Sequence, residues 1–104
     1  MRNQQDIDRF TLAFHERAVA RLREKAGLLS QARDTLDRWR AQRGATASDL
    51  YFDQWRALLD EGPDAIERSV CVDTEAAATL RSVSPLGFVL SPEERHAMHR
   101  LARA

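Results

Sequence analysis

The stretch DIDRFTLAFHERAVARLREKA, Asp6 to Ala26, decides the fold. Ile7, Phe10, Phe14, Ala18 and Leu22 recur at steps of three and four, the spacing that gathers side chains on one face of a helix. Leu12 and Val19 widen that apolar stripe. Arg17, Arg21 and Lys25 fall four residues apart and form a basic ridge along one edge. His15 lies within the apolar arc, between Leu22 and Val19 by helical angle, and reads as a core histidine held by a hydrogen bond. Gly27 marks the break.

Working outward, a second helix from about Leu28 to Gln42 turns Leu28, Leu29, Ala32, Leu36 and Trp39 inward, with Arg33–Asp37 and Asp34–Arg38 as i, i+4 pairs on its wet side. Arg43-Gly44 ends it. Ser48 or Asp49 caps a third helix carrying Leu50, Tyr51, Trp55, Leu58 and Leu59. Gly62-Pro63 closes that helix and opens a fourth, Pro63 to about Cys71, because proline suits a first helical position. Asp73 caps a fifth, alanine-rich helix to about Val83. Ser84-Pro85-Leu86-Gly87-Phe88 cannot continue as helix. Ser91-Pro92-Glu93-Glu94 is a capping box that opens a last helix to about Ala102. Val70-Cys71-Val72 and Phe88-Val89-Leu90 are too short to support a sheet. The expected architecture is a single all-α domain, a bundle of five or six helices spanning residues 1–104.

Composition narrows the function classes. The chain has 104 residues, 43% of them hydrophobic, enough for one core. No apolar run approaches the length of a membrane span, and Met1 is followed by polar residues, so the expected location is the cytoplasm. Cys71 is the single cysteine, which rules out an intrachain disulfide. Sixteen basic and sixteen acidic residues cancel, which argues against nucleic-acid binding by bulk electrostatics. The distribution is uneven: residues 1–43 carry ten basic against six acidic, 44–80 two against eight, and 81–104 four against two.

No constellation of catalytic residues emerges. Glu93 and His96 have the spacing used in di-iron bundles, but the pattern occurs once where that chemistry needs two, and His96 and His99 read as solvated. Cys71 sits between valines in the acidic third of the chain, a setting for a buried hydrophobe and not for a nucleophile. Phosphate-binding glycine loops and hydrolase or metalloprotease motifs are missing. No catalytic, cofactor or metal role is expected for any residue. A helix-turn-helix reading of residues 50–71 meets Asp64 and Glu67 in the first turn of its second helix, where phosphates would be repelled. The last helix offers Arg95, Arg100 and Arg103, yet Glu93 and Glu94 occupy its leading turn.

Tyr51, Trp55, Leu58-Leu59 and Gly62-Pro63, followed by Leu80-Arg81, Ser84-Pro85, Gly87, Val89-Leu90 and Glu94-Arg95, resemble a group of small helical bacterial proteins of toxin–antitoxin-type gene pairs. The resemblance spans about half the chain and departs from the group at Leu86, where phenylalanine follows the proline. It implies an antitoxin-like, partner-binding role. A DNA-binding transcriptional regulator is the alternative and an enzyme the third choice.

Seven aromatics are many for so small a helical core, and Tyr51, Phe52 and Trp55 cannot all point inward from one helix. The expected protein-binding surface is therefore Phe52 at the edge of the third helix, with Asp49, Asp53, Asp60 and Glu61 steering a basic partner such as a toxin from a neighbouring gene. Self-association into a homodimer could use the same patch. Arg81 is expected to clamp the Ser84–Leu90 turn and to pair with Glu94. No cofactor and no membrane partner are expected.

Overall fold

The core grows from α1 (Gln4–Glu24), whose Phe14, Ala18, Val19 and Leu22 are buried. The computed structural model describes residues 4–103, and the side chains of 5–100. The elements that follow are α2 (Gly27–Arg43), α3 (Asp49–Glu61), α4 (Pro63–Val70), α5 (Glu75–Ser82) and α6 (Pro92–Arg103). Six helices and no strand are present among the described residues, so the chain folds as the all-α single domain its periodicity predicts. α1 packs against α2, α4, α5 and α6, while α3 packs against α2 and α4, and α4 against α5. Among the described residues, no helix is long and apolar enough to cross a membrane.

The helix boundaries follow local chemistry. Gly62 adopts φ 110°, which L side chains rarely adopt, and Pro63 follows at the first turn of α4. Ser91 Oγ accepts from the Glu94 N–H at 3.1 Å while Glu94 Oε1 accepts from the Ser91 N–H at 3.0 Å, completing the capping box. Three boundaries differ from expectation. Gly27 lies inside the first turn of α2 instead of outside it. Thr74, not Asp73, caps α5, its hydroxyl accepting from the Ala77 N–H at 3.1 Å. Ser48 precedes α3 in a helical conformation and makes no side-chain cap.

Charged side chains join helices where pairing within one helix was expected. Arg33 reaches from α2 to Asp60 and the Leu59 carbonyl, Asp37 accepts from Arg56, and Arg40 pairs with Asp53 and donates to the Asp49 carbonyl. The expected Arg33–Asp37 and Asp34–Arg38 pairs are not what the structure uses. Arg38 donates to Thr35 instead. α2 and α3 lie close enough for long arginine side chains to span the gap, so each arginine meets a carboxylate on the facing helix. These pairs are half-exposed and fix registry more than they add stability.

The α5–α6 connection fills the core without regular structure. Pro85, Leu86, Val89 and Leu90 are buried, whereas Phe88 is 40% exposed. Its anchors are two buried polar groups on α3 and α5. Trp55 Nε1 donates to the Leu80 carbonyl at 2.8 Å, and Arg81 Nη1 donates to the carbonyls of Val70 and Val72 at 2.7 and 2.9 Å.

Candidate functional site

The residues expected to form a binding surface divide on α3. Leu50, Asp53, Gln54, Ala57, Asp60 and Glu61 are exposed, and Asp49 is half-buried. Phe52 is only 2% exposed, so it is not the edge aromatic the sequence suggested. Its ring lies 5.8 Å from that of Trp39 and beneath the Arg40 guanidinium at 5.9 Å. Phe52, Trp55 and Leu59, spaced three and four apart, form the inward stripe, with Leu58 beside it. Leu50 is the side chain turned out, at 61% exposure. The sequence signal for this was present: four and seven residues beyond Leu50 stand Gln54 and Ala57, whereas three and seven beyond Phe52 stand Trp55 and Leu59.

The acidity of this face is partly neutralised. Asp53 and Asp60 are paired with Arg40 and Arg33. Asp49 accepts from the Thr46 hydroxyl at 3.3 Å, and neither it nor Glu61 joins an ion pair among the described residues. What remains outward is one large apolar side chain, Leu50, on a face bounded by Asp49 and Glu61.

Arg81 is a clamp, but on a different turn. It is 5% exposed and holds the Val70 and Val72 carbonyls at the α4–α5 junction, upstream of it, instead of the Ser84–Leu90 turn. The α4 C-terminus leaves those carbonyls without helical donors, and Arg81 is the buried donor that meets them. The expected Arg81–Glu94 pair does not form. Glu94 Oε2 accepts from Arg21 Nη2 at 2.7 Å, so it ties α6 to α1. Its carboxyl is held below the usual carboxylate range, chiefly by the Ser91 N–H, with Arg21 adding to the effect. Arg21 thereby leaves the basic ridge expected with Arg17 and Lys25, both of which are exposed.

The other titratable residues sort as follows. His15 is 3% exposed, and its Nδ1 donates to the Thr11 carbonyl at 2.7 Å. Burial pushes its pKa down to about 4, the Thr11 bond opposes that, and the nearby Arg81 charge reinforces it. His96 is exposed, but His99 stacks on Phe10 with ring centroids 3.8 Å apart, so the expectation of two solvated histidines fails for His99. Cys71 is half-buried, less enclosed than expected. Burial, followed by the Glu16 and Glu67 charges, raises its thiol to about 11, which keeps it protonated. Among the described residues no three His, Cys, Asp or Glu side chains converge as a metal site. The side chain of Arg103 lies outside the described residues.

On the helix-turn-helix reading, Asp64 and Glu67 in α4 both accept from Arg23 of α1, at 2.8 and 3.1 Å. The helix that would enter a groove is thus acidic and already held against α1. No family model matches the chain, and neither a curated protein nor a solved structure is similar to it.

Proposed function

We propose that this chain is a protein-interaction module of antitoxin-like type, which binds and neutralises a partner protein encoded beside it. The observation that carries the reading is the outer face of α3, where Leu50, the most exposed large apolar side chain among the described residues, stands over Ala57 and is bounded by Asp49 and Glu61. An apolar centre with a polar rim is the composition of a protein contact. The two carboxylates without a cation favour a basic partner surface through charge steering. No assembled catalytic group competes for the role.

The test is co-purification of the tagged chain with the product of the adjacent gene. Wild type should capture it, and a Leu50→Lys, Glu61→Lys double variant should not, while both retain the same unfolding midpoint. Undiminished capture by the double variant overturns the assignment of this face, and no capture by wild type overturns the function.

A further inference from the structure

On the far side of α1 from α4, a cavity of about 200 Å³ opens between α1, the end of α5, the following loop and α6. Its walls include Phe10, Phe14, His15, Arg81, Ser84 and Arg95. Two features set it apart from an ordinary surface cleft. First, neither Arg81 nor Arg95 pairs with a carboxylate among the described residues, although Arg81 is almost fully buried. A buried cation is costly unless a counter-charge accompanies it. Second, Arg81 Nε, Arg95 Nε and His15 Nε2 are all buried without a hydrogen-bond partner, three orphaned polar atoms on residues lining one small space. Buried polar atoms are normally satisfied, so such a cluster calls for a partner from outside the chain.

The hydrogen-bonding roles specify that partner. The two arginines offer N–H donors and positive charge. Ser84 Oγ accepts from the Leu86 N–H at 3.1 Å, which leaves its own hydrogen free to donate. His15 differs: the Thr11 carbonyl can only accept, so Nδ1 carries the ring proton and Nε2 of the neutral ring is a bare acceptor. A ligand that satisfies all of them must present anionic oxygens and one O–H on the same group. A carboxylate or sulfate at neutral pH has no such hydrogen, whereas inorganic phosphate retains at least one. A cavity of this volume holds a phosphate and a few waters, each water needing about 30 Å³.

We propose that this cavity is a phosphate site, in which Arg81 and Arg95 supply the charge and His15 Nε2 accepts the phosphate O–H. The site lies away from the outer face of α3 and does not depend on the interaction proposed there. Its ligand is inorganic phosphate or a small phosphomonoester, and the two sources share the recognition chemistry.

Isothermal titration of the full chain at pH 7 and constant ionic strength, with inorganic phosphate, glycerol phosphate and sulfate as the probes, tests it. Inorganic phosphate should bind at least about tenfold more tightly than sulfate, a ratio equal to one hydrogen bond of about 1.4 kcal/mol. Glycerol phosphate binding as well identifies an ester as an acceptable source, and its failure narrows the ligand to the free ion. Arg95→Gln, on the half-exposed α6 side, should weaken phosphate at least about tenfold. Nitrogen-15 spectra of the unaltered chain should show phosphate, and not sulfate, shifting His15 Nε2, a reading that needs no variant to fold. Equal affinity for sulfate and phosphate, binding unaffected by Arg95→Gln in a folded variant, or a His15 resonance that phosphate does not move would each overturn the proposal.

Discussion

Trp55, fully buried in α3, donates its indole N–H to the main-chain oxygen of Leu80 at 2.8 Å, joining the third helix to the end of the fifth. Of the two helices, α5 is the shorter at 8 residues and rests on α1 and α4. The bond therefore sets where the fifth helix ends relative to α3. Trp55→Phe removes the donor and part of the ring volume, and should destabilise by about 2–4 kcal/mol in urea unfolding. A loss below about 1 kcal/mol would show that the bond carries little.

Arg81→Met should cost about 2–4 kcal/mol, because it strips the donor from two buried carbonyls, Val70 and Val72. Arg81→Lys should recover only part of that loss, since an ammonium lacks the planar fork. Full stability in both variants would contradict the clamp.

Stability should depend on pH through His15. Its folded pKa, about 4, lies below the ordinary value of 6.5, so the unfolded chain binds the extra proton between those values. The neutral-ring contribution is complete above pH 6.5 and is lost as pH falls toward 4. That loss should amount to about 3 kcal/mol by proton linkage. Asp64 and Glu94, whose carboxyls are held low by Arg23 and by the Ser91 N–H respectively, lose their contributions at lower pH. Subtracting the profile of His15→Gln from that of wild type isolates the histidine, and a flat difference between pH 4 and 6.5 refutes the assignment.

Phe52→Ala should lower stability by about 3–5 kcal/mol, the range for removing a buried ring. Leu50→Ala should change it by less than about 0.5 kcal/mol. Chemical denaturation of the two variants side by side distinguishes the inward residue from the outward one.

Cys71 should react with a disulfide probe at pH 8 roughly a hundredfold more slowly than an ordinary thiol. The rise from 9.0 to about 11 reduces its thiolate fraction by that factor. Stoichiometric labelling at the rate of a free thiol would show that the side chain is not in this environment.

Much of the fold was legible because helix starts and stops are written locally. Gly62-Pro63 and the Ser91–Glu94 box appear where the residues place them. The faces of the helices were harder to read. Periodicity gives a stripe to within about one residue's rotation, some 100°, and on α3 that uncertainty decides between Leu50 and Phe52. Trp39 on α2, packing against Phe52, resolves it, and a contact between residues so far apart has no local signature. The ion pairs fail for the same reason: Arg33 and Asp37 are well spaced within α2, but α3 brings better-placed partners. The polar cavity was invisible because Arg81, His15 and Arg95 come from three separate segments. His15 alone gave a hint, as a polar residue within an apolar arc.

The attachment of α6 has a kinetic consequence. Its ties run to α1: Glu94 to Arg21, Arg95 over the Phe14 ring and His99 against Phe10. The helix can therefore lift away by giving up a single seam while the remaining core persists. In amide hydrogen exchange, the α6 backbone should open as one unit at a lower free energy than the Val19 and Leu22 amides, which exchange only on global unfolding. A protease cutting the exposed loop at Phe88 would then release the last helix and leave a folded remnant.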